Sequence, residues 1–190
     1  MGQLGNGLFE AGHYEDALSV EEAELSMERR LGASEESILV AQSNLAATYR
    51  AVGRHEEALR MRRDVYSGTV KLKGKQHAES IVECGNLVIN LLELRRFQEA
   101  KRLLRNVIPV ARRVLGNEHS DTLSLCEDLS RATLLEAADG DSSAEEVREA
   151  LRALEGTLGV MRRVLGPQHP DTQRVQENLE AYREEFPTTA

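Results

Sequence analysis

An internal repeat of about 42 residues is the feature that most constrains how this chain folds. Its copies share a two-residue marker that ends in glycine, at Leu31-Gly32, Lys73-Gly74, Leu115-Gly116 and Leu165-Gly166. The first two steps between markers are 42 residues and the last is 50. Thirteen residues beyond the start of each marker stands an amide or carboxylate side chain followed by leucine, at Asn44, Asn86, Asp128 and Asn178. Agreement between independent positions predicts a stack of similar structural units.

Each copy has the pattern of two helices, here called helix A and helix B. A histidine follows the marker glycine by three residues at His77, His119 and His169, and we expect it near the N-cap of helix A. Pro170 suits the first helical turn, and Gly53 suits the left-handed residue that ends a helix. The predicted helices are 3–11, 13–30, 36–52, 55–72, 78–94, 97–114, 120–137, 146–164 and 170–185.

Three departures from the repeat carry structural expectations. Residues 138–145 are an insertion between helices A and B of the fourth copy, and their polar, glycine-containing sequence predicts an exposed loop. Pro109 lies inside a predicted helix B, where it removes a backbone hydrogen bond and is expected to kink the helix. Glycines within the B helices are expected to weaken them, at Gly68, Gly156 and Gly159.

The motifs resemble those of a known repeat family. Leu165 to Thr172 (L-G-P-Q-H-P-D-T), Asn44 to Ala46 (N-L-A) and Gly53 to Leu59 (G-R-H-E-E-A-L) resemble the tetratricopeptide repeat (TPR), in the 42-residue form typical of kinesin light chains. The resemblance implies an all-α fold, a right-handed α-solenoid of antiparallel helix pairs whose A helices line a concave groove. It implies one domain, 1–190, divided into a partial copy 1–30, copies 31–72, 73–114 and 115–164, and a terminal helix segment 165–190.

Candidate peptide-binding residues lie beside the packing face of the A helices. By resemblance, the family's Asn at the position of Asn44, Asn86 and Asp128 hydrogen-bonds the backbone of an extended peptide, and Asn supplies the donor and the acceptor that this needs. The alternative is that this Asn caps or bridges helices within the repeat. The other predicted groove residues are Ala47, Arg50, Ile89, Asn90 and Arg131.

The two arginines of this set have two interpretations. Arg50 and Arg131 are candidates to pair with an acidic peptide residue or a C-terminal carboxylate. The alternative is an ordinary solvated face. The chain has one positive cluster of note, which is a candidate to bind an acidic partner or RNA and consists of Arg95, Arg96, Lys101, Arg102 and Arg105. Nearby acidic residues and the net charge favour the other interpretation, an ordinary solvated face.

The net charge and the composition limit the classes of partner that this chain is expected to bind. The formal net charge is −8, opposite to that of most nucleic-acid binders. The chain has no long apolar run and no recognisable signal peptide. We therefore expect a protein or peptide partner, no nucleic acid, no membrane and a cytoplasmic location.

No residue pattern predicts catalysis. G-x-S-x-G, P-loop, H-E-x-x-H and G-x-G-x-x-G sequences are absent, so we expect no enzyme activity and no cofactor. Histidines that recur once per repeat are too spread along a solenoid to surround a metal. Cys84 and Cys126, which are 42 residues apart, are interpreted as buried structural thiols.

These features predict a protein–protein interaction scaffold that binds a peptide or partner segment in the groove of the A helices. One alternative is a regulatory or sensor repeat segment of a larger signalling protein with a nucleotide-switch domain. The other is a motor-cargo adaptor of the kinesin-light-chain type. That role requires a heptad region for pairing with a heavy chain, and these 190 residues contain none.

Overall fold

The computed structural model describes residues 3–187, and this part of the chain is all α-helical. Its helices are α1 (Gln3–Glu10), α2 (Tyr14–Arg30), α3 (Glu35–Ala51), α4 (His55–Lys73), α5 (Ala78–Glu93), α6 (Phe97–Val114), α7 (Ser120–Ala138), α8 (Ala144–Val164) and α9 (Pro170–Glu185). Every predicted helix is confirmed to within two residues at either end. None of these helices combines the length and the apolar character of a membrane span. Residues 1–2 and 188–190, the ends of the predicted first and last segments, lie outside the described range.

Two compact units make up the chain, Met1–Leu94 and Arg95–Ala190. In their described parts, the N-terminal unit contains α1 to α5 and the C-terminal unit contains α6 to α9. Within each unit, every helix packs against the next helix along the chain. The short connections give antiparallel helical hairpins. The boundary falls inside the copy 73–114, and the single domain drawn from the sequence stays a prediction.

Histidine side chains start three of the A helices. His77, His119 and His169 are the N-cap residues of α5, α7 and α9. In each case the ring Nδ1 accepts a hydrogen bond from the backbone N–H two residues on, at 3.3 Å for His77 and His119 and 3.2 Å for His169. The ring thereby satisfies one of the N–H groups that a helix leaves without an internal partner. The expected N-cap role of the repeating histidine is confirmed.

The connections from helix A to helix B share a left-handed residue. Gly53 follows α3 with φ of 81°, which confirms its predicted role. Arg95 holds the equivalent place after α5 with φ of 57°, a conformation that residues other than glycine seldom adopt. The backbone geometry of the repeat is thus kept even where its preferred residue is lost.

The insertion in the fourth copy forms a shorter loop than predicted. α7 continues to Ala138 and α8 begins at Ala144, so only 139–143 is non-helical. Ser143 and Glu146 form a capping box, in which each side chain pairs with the backbone N–H of the other residue. This cap extends α8 toward its N-terminus into residues that the sequence assigned to the loop.

The apolar core of each unit lies between helices of one copy and between helices of adjacent copies. In the N-terminal unit, Leu18 and Leu25 of α2 pack with Leu45 of α3. In the C-terminal unit, the core joins α7, α8 and α9, and its most buried side chains are at most 1% exposed, at Leu134, Leu154, Met161 and Val175. Burying one such side chain contributes about 1.5–3 kcal/mol.

An ion pair replaces an apolar contact in the C-terminal unit. Lys101 occupies the repeat position of Leu18 and Leu59, and it is 3% exposed. Its ammonium group contacts Glu136, which is 4% exposed. Glu136 also accepts hydrogen bonds from Gln98 Nε2 at 2.6 Å and from a serine hydroxyl of the insertion loop at 3.4 Å. The interpretation of Lys101 as part of a solvated basic face is therefore wrong, because a carboxylate on α7 compensates its charge.

The B-helix glycines differ in their surroundings. A Cβ atom on Gly68 would lie 2.6 Å from Leu39 Cδ2 and 3.2 Å from its Cδ1, so the missing side chain lets α3 and α4 approach closely. A Cβ on Gly159 would meet nothing within 4 Å. Gly68 therefore has a packing role besides its low helix propensity, and Gly159 has only the latter.

Replacing Gly159 by Ala is expected to raise the free energy of unfolding by about 0.5–1 kcal/mol, since alanine loses less backbone entropy in a helix. The same change at Gly68 should give a smaller gain or a net loss, because Leu39 has to move. Urea unfolding of the two single variants measures the difference. Equal gains at both positions would contradict the close approach of α3 and α4.

Replacing Lys101 by Met is expected to lower the free energy of unfolding by about 3–5 kcal/mol, because the buried Glu136 carboxylate loses its counter-ion. The double variant Lys101→Leu/Glu136→Leu should recover most of that loss, since it restores the apolar pair of the other copies. Urea unfolding of both variants tests this. A double variant no more stable than Lys101→Met would show that the pair does not act as a unit.

Candidate functional site

The predicted residues of the N-terminal unit lie on two A helices. Asn44, Ala47 and Arg50 belong to α3, and all but the exposed Arg50 are half-buried. On α5, Asn86 and Ile89 are half-buried. Asn90 differs, because only 1% of it is exposed and its Nδ2 atom has no hydrogen-bond partner among the described residues. Asn90 therefore does not line an open surface as the sequence predicted, and the candidate surface of this unit is formed by the other residues.

A buried polar network joins α3, α4 and α5. Arg62 is 7% exposed and donates to Ser43 Oγ at 2.6 Å. Ser43 donates in turn to Glu83 Oε1 at 3.0 Å. The side-chain amide of Asn86 donates to Glu83 Oε2 at 3.2 Å. Asn86 thus has a partner within its own helix, and it joins the contact between helices only through Glu83. This internal bond favours the alternative interpretation of the repeated Asn, in which it has a structural role within the repeat.

Arg50 also has a partner within the unit. Its guanidinium donates to Glu93 Oε1 on α5 at 2.8 Å, and His55 Nδ1 lies 3.4 Å from the other oxygen of that carboxylate. The Arg50 side chain is 43% exposed. Such an exposed pair contributes little to stability, so an incoming carboxylate competes for Arg50 at a small free-energy cost.

An acidic cleft adjoins Asn44. It has a volume of about 520 Å³ and lies between α1, α2 and α3. The residues that line this acidic cleft are Asn6, Glu21, Glu24, Glu28, Glu36, Ser37, Val40, Ala41 and Asn44. This cleft was not among the sites predicted from the sequence. The signal was available, since Glu21 stands at a repeat position that Arg62, Leu104 and Leu154 occupy in other copies.

The predicted residues of the C-terminal unit lie on α7. Asp128 is 8% exposed, and its Oδ1 lies 3.7 Å from the guanidinium of half-buried Arg131. The adjacent Glu127 is 3% exposed and accepts two hydrogen bonds from Arg174 of α9, one of them at 2.9 Å. Burial, and to a smaller extent Glu127, raises the pKa of Asp128 to about 7, against the lowering effect of the two arginines.

A second cavity, of about 710 Å³, lies between α6, α7 and α8. Arg105, Arg112, Glu146 and Glu149 supply its charged lining, and small side chains such as Ala150 and Ala153 widen it. The sequence analysis did not predict this cavity. Its signals are Pro109 and Gly156, which also line it and add no large side chain.

The cysteines differ from each other. Cys84 is fully buried, and burial raises the pKa of its thiol to about 12, which keeps it protonated and unreactive. Cys126 is half-buried and lines the 710 Å³ cavity, with Arg112 Nη2 at 3.6 Å from its sulfur. The expectation of a buried thiol is confirmed for Cys84 and wrong for Cys126. In residues 3–187, no three His, Cys, Asp or Glu side chains are placed to hold a metal ion.

Comparison with known proteins identifies the class. The family model described as tetratricopeptide repeat matches residues 38–79, 84–121 and 142–171, which together exceed half of the chain. The chain belongs to the tetratricopeptide repeat family. This agrees with the repeat length, the helix pairs and the capping histidines described above.

Solved structures agree with this assignment. A putative kinesin light chain with nearly identical TPR-like repeats from Podosopora anserina aligns with a TM-score of 0.71 and 22% identity, over 99% of this chain and 95% of that one. A single-residue variant of that protein gives a TM-score of 0.73 with the same identity and coverage. BtubC (BKLC) from P. vanneervenii gives a TM-score of 0.75 and 17% identity, over 95% of this chain and 69% of that one. A search of curated proteins found no match.

These likenesses show an all-α fold of the TPR-like solenoid class with repeats like those of kinesin light chains. TPR repeats indicate a protein-interaction scaffold.

Replacing Asp128 by Asn is expected to remove a loss of stability that the wild type shows as pH rises. The pKa of Asp128 is raised from 3.8 to about 7. Its contribution to the free energy of unfolding is therefore fully present below pH 3.8 and is lost as pH rises through about 7. The urea concentration at the unfolding midpoint should therefore be higher for the variant than for wild type at about pH 8, and the two midpoints should agree near pH 4. Asp64→Asn, at an exposed carboxylate, is the control. Parallel pH profiles of wild type and Asp128→Asn would contradict the raised pKa.

Proposed function

We propose that this protein is a non-catalytic scaffold whose A-helix surfaces bind a segment of a partner protein. The observation that carries the proposal is the row of half-buried side chains on α3 and α5 of a TPR-family chain. Half-buried groups have already lost part of their hydration, and they bury further apolar area when a partner covers them.

In the N-terminal unit, the binding surface consists of Asn44, Ala47 and Arg50 on α3, with Asn86 and Ile89 on α5. Ala47 and Ile89 supply apolar contact, and Asn44 supplies an amide for the backbone of an extended segment. Asn86 contributes its carbonyl oxygen, since its amide nitrogen donates to Glu83. Arg50 exchanges Glu93 for an acidic group of the partner.

In the C-terminal unit, the proposal assigns contact to Arg131 and support to Asp128. Asp128 is only 8% exposed, so it does not reach the partner itself, and its carboxylate lies 3.7 Å from the Arg131 guanidinium that it supports. Each surface is proposed separately, and neither requires the other.

The double variant Asn44→Ala/Asn86→Ala tests the N-terminal surface. In a quantitative pulldown from cell extract, it is expected to lose at least one partner that wild type retains, because two amide groups no longer meet the partner backbone. Asn106→Ala/Gln76→Ala is the matched control, since it removes two exposed amides that lie off the A helices. An unchanged partner set for the A-helix variant would reject the surface, provided that circular dichroism shows the variant to be folded.

A further inference from the structure

The acidic cleft contains carboxylate oxygens that the fold leaves without partners. Glu21 is 7% exposed, and its Oε2 atom is buried without a hydrogen-bond partner in the described chain. The Oε2 atom of Glu28 is buried without a partner as well. A buried polar atom without a hydrogen-bond partner destabilises the fold, and it does so more strongly when it is charged. The N-terminal unit therefore carries a free-energy penalty that a suitable ligand would relieve.

Glu21 is held in place although no ion pair to it is recorded among residues 3–187. The hydroxyl of Thr48 forms a hydrogen bond with the Glu21 carboxylate. Burial raises the pKa of Glu21, and this hydrogen bond lowers it to a smaller extent. A Cβ on Gly5 would lie 2.6 Å from Glu21 Cγ, so the backbone of α1 lies directly against the Glu21 side chain. The carboxylate is thus fixed in position at the wall of the cleft.

The charges around the cleft favour an organic cation. None of the described residues that line it is cationic. One of its carboxylates, that of Glu36, already pairs with Lys73, which also contacts Glu79. The carboxylates do not converge as metal ligands do, and the volume of about 520 Å³ suits a ligand much larger than an ion. Val40 and Ala41 supply apolar wall against which an aliphatic stem packs.

We propose that the acidic cleft binds a lysine or arginine side chain of the partner segment, with the charged head at Glu21 and Glu28. The inference rests on the proposed function, because Asn44 belongs both to the A-helix surface and to the cleft wall. In that arrangement Asn44 contacts the backbone of the segment, and the cationic side chain enters the cleft beside it. The binding site then selects a segment by one basic residue at a defined position.

The rest of the repeat supports a ligand-binding role for Glu21 over a structural one. Arg62, at the same repeat position, has Ser43 and Glu83 as partners. Leu104 and Leu154 fill the position with apolar side chains and are at most 1% exposed. The fold therefore does not require a charge at this position, and the first copy carries a carboxylate for which no described residue is recorded as a cationic partner.

The test is an NMR titration of the ¹⁵N-labelled full chain with N-acetyl-arginine amide and N-acetyl-lysine amide. N-acetyl-norleucine amide has a comparable aliphatic stem without the charge and serves as the ligand control. We expect saturable shifts of the backbone amides around Glu21, Glu28 and Asn44 with the two cationic ligands only. Glu21→Gln/Glu28→Gln should weaken the binding by about tenfold or more.

Two control variants distinguish loss of the cleft carboxylates from a general loss of negative charge and from misfolding. Glu56→Gln/Glu177→Gln removes the same charge at exposed positions elsewhere and should leave the affinity unchanged. Glu28→Gln alone, at a half-buried residue, tests the cleft if the double variant does not fold. Spermidine is titrated in parallel to distinguish a free polyamine from a side chain.

The proposal is overturned if neither cationic amide gives saturable shifts, if only spermidine does, or if both double variants weaken binding equally. It is overturned as well if the shifts lie outside the acidic cleft. None of these results bears on the pulldown with Asn44→Ala/Asn86→Ala, so the proposed function is accepted or rejected independently.

Discussion

The constraint on which the whole structure depends is that one amphipathic helix pair cannot bury its own apolar face. Each B helix therefore packs against the A helix of the next copy, as Leu18 and Leu25 of α2 do against Leu45 of α3. The histidine N-caps and left-handed connections keep successive helices at a similar length and spacing. Stability is thus distributed along contacts between neighbours, and no enclosed core is needed.

Helix positions could be predicted from the sequence because the signals are local. A capping side chain, a glycine at a helix end and a period in the apolar residues each act over a few residues. The insertion was predicted less well, because the capping box of Ser143 and Glu146 competes with a polar composition typical of loops. Burial of single polar side chains was not predicted. Lys101 and Asn90 are buried by residues on other helices, and periodicity within one helix does not identify those residues.

The candidate site was predictable only in part for the same reason. The repeat identified which helix carries Asn44, Ala47 and Arg50, since equivalent residues occupy equivalent places. It did not reveal that Arg50 pairs with Glu93, because that partner lies on a different helix. The bond from the amide of Asn86 to Glu83, three residues earlier on the same helix, has a spacing that places side chains next to each other, but it was not predicted. The acidic cleft depends on three helices together, and its only sign in the sequence is a carboxylate at a position where other copies have leucine or arginine.

Charged residues that break the repeat fall into two groups. Lys101 and Glu136 replace an apolar pair together, and Arg62 is accompanied by Ser43 and Glu83. In both cases the desolvation penalty of a buried charge is offset by partners inside the same unit. Those residues form the first group, whose charges have partners. Glu21 belongs to the second group, whose charges lack them, because one of its oxygens has no hydrogen-bond partner in the described chain. In a repeat protein, the residues at equivalent positions of the other copies show what the fold requires at that position. We therefore infer a binding role, and not a folding role, from an uncompensated charge at a position that is otherwise apolar or paired, since folding alone favours its removal.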